Sequence, residues 1–299
     1  MQQTELSQLF GESVQFNEPL APYTSIKVGG PADLFLTPKD RDELKRFVLY
    51  TREKEIPLFI LGAGSNLLIR DGGIRGAVIF LKNFSHVELI SETFLTAEAG
   101  LFVPKLVEWT ASQGLTGLEP LIGVPGSLGG AIAMNAGTRQ GEIGSLVEEV
   151  TGLTKEGEEV RIPKSKLEFK YRSSKIPRGV VILSAILKLE KGERTEIENR
   201  IREFKEYRLK TQPLNYPNLG SVFKNPLPGF AGQMIEEAGL KEVRIGNARI
   251  SPKHANFIIN EGGATAKDIQ ILINLVKDKV KDRFSVNLEP EVKIVGEER

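Results

Sequence analysis

Two glycine-rich stretches, LGAGSNLLIRDGG at 61–73 and EPLIGVPGSLGGAIAMNAG at 119–137, constrain this chain more than any other feature. Glycine lets a backbone approach a ligand or another segment closely, because no side chain intervenes. A glycine turn after an apolar run, as PLFIL precedes the first stretch, can aim its amides at a pyrophosphate. The first stretch lacks GxGxxG, and a second glycine turn and the run GAVIFL follow it where a dinucleotide fold would have a long helix. It also lacks GxxxxGK[ST], so triphosphate hydrolysis of the P-loop kind has no support. Alone, it reads equally as a tight structural turn or a ligand cradle. The second stretch shifts the balance. The small apolar residues of GGAIAM and MNAG indicate that something packs against their backbone, and two such cradles suit an extended cofactor such as a dinucleotide.

Hydrophobic spacing places elements around these stretches. Leu44, Phe47, Val48 and Thr51 share one face of a helix expected over 40–55, and Pro104 opens another that Gly114 closes. Strands are expected at GAVIFL, FLTAEAG and VEEVTGLT, and through the alternating 150–190 region. An amphipathic helix with Ile197, Ile201 and Phe204 on one face follows, and then KTQPLNYPNLG reads as an interdomain boundary. Beyond it come a short helix near 233–237 and strands near 255–259. Thr265 and Asp268 form a capping box for a last helix that buries Ile269, Ile273, Val276 and Val280. The tail VNLEPEVKIVG returns to a strand pattern.

Composition removes whole classes of chemistry. The 299 residues allow one large or two to three modest domains. Lys plus Arg, 40, against Asp plus Glu, 39, leaves a net charge of +1, so no nucleic acid or membrane partner is called for. The chain has no cysteine, which excludes disulfides, thiolate metal sites and thiol nucleophiles. His86 and His254 form no ligand spacing, so no metal is expected. With no leader pattern and no long apolar run, a cytoplasmic setting is the expectation.

Taken in order, GAGSNLLIRDGG, PLIGVPGSLGGAIAMNAG, YRSS at 171–174, GSVFKNP at 220–226, AGQMIEEAGLK, SPKHANFIIN and LEPEV resemble the UDP-N-acetylenolpyruvoylglucosamine reductase family. This family comprises flavoenzymes of peptidoglycan precursor synthesis, and the likeness runs from Pro22 to Gly296. The resemblance implies an α+β chain: a two-part FAD-binding domain of the para-cresol methylhydroxylase and vanillyl-alcohol oxidase type, then a smaller α+β substrate-binding domain. The corresponding ranges are 1–83, 84–199 and 200–299, with 286–299 returning toward the active site. It further implies cofactor contacts at Gly62, Ala63, Gly64, Ser65, Asn66, Gly123, Pro125, Gly126, Ser127 and Gly130. With no cysteine, and neither histidine in a glycine cradle, the FAD is expected to be non-covalent.

The implied reaction reduces an enolpyruvyl ether of a UDP-sugar to a lactyl ether. Hydride passes from NADPH through the flavin to the vinyl methylene carbon, while negative charge grows on the adjacent carboxylate. By resemblance, Arg172 sits beside that carboxylate, Ser221 protonates the carbon bearing the ether oxygen, and Glu291 is the acidic partner, with Glu289 the alternative if the register differs. Lys224 and Asn225 are implied substrate contacts, and Lys210 and Asn218 weaker ones. His254 reads as structural, His86 as a surface or packing residue. Roles in cell wall biogenesis, cell shape and division follow from the same resemblance. Oligomeric state does not, although a monomer is slightly favoured.

Two departures from the family pattern stand out. Thr138, Arg139 and Gln140 follow NAG where an aromatic residue and glycine are common, and Leu240, Lys241 and Glu242 replace LKG. No tyrosine lies between Arg172 and Tyr207, so the chain resembles the shorter form, without the inserted tyrosine segment. An oxidase on the same flavin fold and a non-enzymatic nucleotide-binding protein are the competing classes.

Overall fold

The computed structural model describes residues 2–299. Its helices begin and end where local chemistry directs. Asp40, extended, accepts the Glu43 amide at 2.8 Å and opens Arg41–Glu53, which buries Leu44, Phe47, Val48 and Thr51. Helix Val103–Ser112 carries its proline in the first turn and precedes Gly114 at φ +67°. Thr265 and Asp268 make the expected reciprocal cap on Ala266–Phe284, whose buried residues include Ile269, Leu272, Ile273, Val276 and Val280.

The chain divides into two compact units, each with its own core. The first holds the residues up to Phe16, Leu34–Ala63 and Gly76–Glu206. Its five-stranded antiparallel sheet has the order Glu159–Pro163, Val147–Leu153, Val181–Lys188, Phe94–Glu98, Val87–Leu89. Val181–Lys188 is central and almost continuously buried, as a strand covered on both faces must be. Strands Leu58–Leu61 and Ile74–Phe80 pair in parallel at one side of a four-stranded sheet.

The second unit gathers Asn17–Asp33, Gly64–Arg75 and Tyr207–Arg299. Ala248–Ile250 pairs with Arg244–Ile245 and with Ile258–Asn260, and Lys293–Val295 lies parallel to Leu67–Ile69. Strand structure in the tail is thus confined to three residues. Of the strand expected near 255–259, only its end joins the sheet, because Asn256 hydrogen-bonds to Val222 and Phe223 instead.

These units differ from the ranges implied by the resemblance. No division falls at 83/84, which lies inside the first unit, and Arg194–Thr211 runs unbroken through 199/200. The reason for placing 64–75 in the second unit is in its second glycine turn. The Asp71 carboxylate accepts the amides of Ala266 at 2.9 Å and Lys267 at 3.1 Å, capping the long helix from a distant part of the chain. A Cβ on Gly73, at φ +85°, would fall 1.9 Å from the Pro31 carbonyl oxygen. This turn is internal packing. Asp71→Ala is expected to lower stability by about 1–2 kcal/mol in denaturant unfolding, with Asp71→Asn, which keeps one acceptor, losing less.

Candidate functional site

In the first unit, the two glycine stretches meet around a cleft of ≈ 370 Å³. Gly62 and Ala63 line it from the first stretch, and Ser127, Gly129 and Gly130 from the second. A Cβ on Gly62 would lie 2.7 Å from Ser127 Oγ and one on Gly130 3.4 Å from it, so bare backbone keeps the space open. Among the described residues, no hydrogen bond uses the amides of Gly62 to Asn66, which leaves them available to an anion. By contrast, Leu128 and Gly129, at the start of helix Leu128–Met134, donate to Leu101 and Ala99 carbonyls. Of the amides at this helix start, those of Ser127 and Gly130 make no hydrogen bond among the described residues, so both glycine stretches offer unused donors to the cleft. Phe80, Phe102, Ala133, Ile176, Val180 and Ile182 supply an apolar wall. The sequence reading missed all of these, and only the β-branched run near 180 hinted at them. A nucleotide-sized part of FAD fits this donor set and lining.

The other expected cofactor residues are placed differently. Gly123, Pro125 and Gly126 lie on the approach to the helix, and the Gly126 carbonyl accepts the Val103 amide. Gly64, at φ +62°, would drive a Cβ to 2.1 Å from the Tyr23 carbonyl oxygen, so its glycine serves close packing. Ser65 follows in the same turn, and its carbonyl lies 3.5 Å from Ser25 Oγ. Asn66 donates its side-chain amide to the Glu291 carbonyl at 3.0 Å, and its own carbonyl accepts the Lys293 amide. It clamps the segment that carries Glu291.

Arg172 stands in the first unit at the tip of a tight turn, closed by Lys170 N to Ser173 O at 2.9 Å and Ser173 N to Lys170 O at 3.0 Å. Its φ of +57° is a left-handed conformation that favours glycine and costs an arginine about 1–2 kcal/mol. The side chain is 17% exposed, with Nη1 3.9 Å from Glu142 Oε1. Its guanidinium carbon lies 4.9 Å from the Tyr171 ring centroid.

Ser221, Lys224, Asn225, Glu289 and Glu291 come together in the second unit. Glu291 N donates to Val222 O at 2.8 Å, Lys224 N donates to Glu289 O at 2.9 Å, and Phe223 bridges Pro290. Residues seventy apart in sequence are thereby laid side by side. Ser221 follows Gly220 at φ +69°, whose amide donates to Asn218 Oδ1. Asn218 in turn accepts Ser25 Oγ at 2.6 Å through its carbonyl, so it shapes the serine turn. Buried Asn256 holds the other side: Oδ1 accepts the Phe223 amide, Nδ2 donates to the Phe223 carbonyl, and its carbonyl accepts the Val222 amide. The alternative acid, Glu289, is exposed and forms an ion pair with Lys224 at 2.5 Å. Asn225 Oδ1 accepts the Ala231 amide. Lys210 is exposed.

His254 stacks edgewise on Phe257 at 4.8 Å, and its Nδ1 accepts the Asn256 amide. Burial pulls its pKa below the usual imidazole range, which suits a neutral supporting residue. His86 is exposed beside Glu88. The sequence reading also passed over Arg208 and Gln212. Arg208 Nε and Gln212 Oε1 are buried without a hydrogen-bond partner among the described residues, and burial pulls the Arg208 pKa down. Arg208 is half-buried, and its Nε is a donor that an anion can satisfy.

A structural carboxylate supports the second glycine stretch at its start. Glu119, 3% exposed, accepts Thr116 Oγ1 and the Gly117 amide at 2.6 Å each, and Arg200 Nη2 at 2.8 Å. Burial alone would raise its pKa, but these donors outweigh burial and hold it below the ordinary value. A folded-state pKa below the unfolded one gives stability that is complete above the unfolded pKa and is lost as pH falls through the folded one. Glu119→Gln is expected to lower stability at neutral pH by about 1.5–3 kcal/mol. The difference from the parent should shrink as pH falls through the carboxylate range, which thermal unfolding at several pH values would check.

The two α+β units, with a glycine-lined nucleotide cleft in the first, define an FAD-binding protein. Residues 32–163 match an FAD binding domain family, and 212–295 match the UDP-N-acetylenolpyruvoylglucosamine reductase C-terminal domain. UDP-N-acetylenolpyruvoylglucosamine reductase of Clostridium tetani (strain Massachusetts / E88) is 44% identical over 295 residues, which is 98% of this chain and 96% of that one. The protein of the same description from Anoxybacillus flavithermus (strain DSM 21510 / WK1) is 44% identical over 98% of this chain and 97% of its own. The crystal structure of UDP-N-acetylenolpyruvylglucosamine reductase from Thermus caldophilus superposes with a TM-score of 0.81 at 38% identity, over 94% of this chain and 97% of that one. The chain belongs to the UDP-N-acetylenolpyruvoylglucosamine reductase family. Among the described residues, no helix is long and apolar enough to cross a membrane.

Proposed function

We propose that this protein catalyses the NADPH-dependent, FAD-mediated reduction of UDP-N-acetylenolpyruvoylglucosamine to UDP-N-acetylmuramate, in the cytoplasm, as a step of peptidoglycan precursor synthesis that serves cell shape and division. The observation that carries the reading is the open glycine cleft with unused amides, in a chain whose full length follows the reductase family. Bound FAD supplies two-electron chemistry, accepting hydride from NADPH and passing it to the vinyl methylene carbon. Gly62, Ala63, Ser127 and Gly130 would hold it without a covalent link.

The remaining chemistry falls to side chains. Arg172 stabilises the carboxylate as it takes on enediolate charge, a task for a permanently charged group with fixed donors. Ser221 gives its hydroxyl proton to the carbon bearing the ether oxygen and recovers one from solvent. A serine is a weak acid, but the enediolate is a strong base and the serine turn is rigidly tied. Glu291 is the acidic partner. Its placement beside Val222 supports it over Glu289, which is exposed and held by Lys224. Arg208, with Lys224 and Asn225, provides donors for the substrate diphosphate.

The test is anaerobic. Protein reduced with NADPH and then mixed with UDP-N-acetylenolpyruvoylglucosamine should recover its oxidised flavin absorbance as UDP-N-acetylmuramate forms. A reduced flavin that ignores this substrate would overturn the assignment.

A further inference from the structure

We propose that Glu142 is a positioning residue for Arg172, orienting its guanidinium to receive the substrate carboxylate. The proposal rests on the reading that Arg172 meets that carboxylate. The turn Lys170–Ser173 fixes the backbone of Arg172 but leaves its long side chain several rotatable bonds, so something must select one direction. Glu142 is built to do this. It lies in the two-residue strand Gly141–Glu142, directly opposite Gly137, where a Cβ would come 2.6 Å from Glu142 Cγ. The glycine of NAG therefore makes room for this carboxylate.

Asn135 couples the carboxylate to the arginine turn. It is 1% exposed and left-handed, with φ +45°, at the end of helix Leu128–Met134. Its Nδ2 donates to Glu142 Oε2 at 2.9 Å and to the Lys170 carbonyl at 2.9 Å, while its Oδ1 accepts the Gly144 amide at 3.0 Å. Ser174 Oγ adds a bond to the Ala133 carbonyl at 3.1 Å, tying the same turn to the same helix. One buried amide thus fixes both the turn and the carboxylate. With Oε2 held, Oε1 faces Arg172 Nη1 at 3.9 Å. That separation exceeds a hydrogen bond and is far from the paired fork of a bidentate arginine contact. At that separation Glu142 acts on the cation through charge, not through a shared proton.

The experiment compares the parent, Glu142→Ala, Arg172→Ala and the double variant in anaerobic half-reactions. Glu142→Ala should leave flavin reduction by NADPH unchanged and slow reoxidation by the enolpyruvyl substrate by on the order of 10- to 100-fold. It should weaken binding of UDP-N-acetylmuramate to the oxidised protein but not that of UDP-N-acetylglucosamine, which has no carboxylate. In the Arg172→Ala background the same change should have no further effect, because its only route is through the arginine. Equal losses in both half-reactions or with both ligands, or an additive loss in the double variant, would overturn the proposal in favour of a purely structural carboxylate. If Arg172→Ala alone left reoxidation intact, the reading of Arg172 itself would fall. Should the alanine variant fold poorly, Glu142→Gln serves the same comparison: its single oxygen can meet Asn135 or Arg172 but not both, so an effect on reoxidation alone is again expected.

Discussion

Ser221→Ala is expected to leave flavin reduction by NADPH untouched and to slow reoxidation by the enolpyruvyl substrate by on the order of 10²–10⁴-fold, the range for loss of a positioned proton donor. Alanine removes only Oγ. The backbone around it is fixed independently, by the Gly220 amide on Asn218, by the Val222 amide on the Asn256 carbonyl and by the Glu291 amide on the Val222 carbonyl, so the substrate contacts nearby should persist. Ser221→Cys keeps a transferable proton on a larger atom and should retain part of the rate. Stopped-flow absorbance of the flavin separates the two half-reactions directly. If both slowed together, the serine would be shaping the turn instead of supplying a proton.

Much of the secondary structure was legible because each signal was local. Asp40, Pro104 and the Thr265–Asp268 pair open helices where propensity says they should, and the apolar face of Ala266–Phe284 followed from spacing alone. The boundary near KTQPLNYPNLG lies close to the end of the first unit at Glu206, but the grouping of 64–75 with the C-terminal residues was not legible, because it depends on contacts such as Asp71 with the amides of Ala266 and Lys267, nearly 200 residues away. Glycine was ambiguous for a physical reason: keeping a cleft open and letting two backbones touch both demand a missing side chain. Gly62 does the first and Gly73 the second, within one stretch of sequence. At the site, the juxtaposition of Ser221 and Glu291 was supplied by family resemblance, since no periodicity links residues so far apart. The left-handed backbone of Arg172, and the Asn135–Glu142 support beside it, left no trace that a single sequence could show. Glutamate after glycine in GEIG reads as an ordinary surface residue until the amide behind it is seen.

The glycine ambiguity yields the second large effect. Gly62→Val is expected to produce a folded, colourless protein whose flavin occupancy and affinity fall by on the order of 100-fold or more, because its branched methyl groups would occupy the cleft that bare backbone keeps open. The nearest atom to a Cβ at this position is Ser127 Oγ, 2.7 Å away, which can rotate, so Gly62→Ala should be milder. Gly73→Val supplies the contrast: at φ +85° and 1.9 Å from the Pro31 carbonyl oxygen, its side chain meets backbone that has nowhere to move, and folding itself should fail. Flavin absorbance of the purified proteins, circular dichroism and thermal unfolding distinguish the two outcomes. A Gly62→Val protein that stayed yellow would remove the cleft from the cofactor site and leave the amides of the first glycine turn without an assigned ligand.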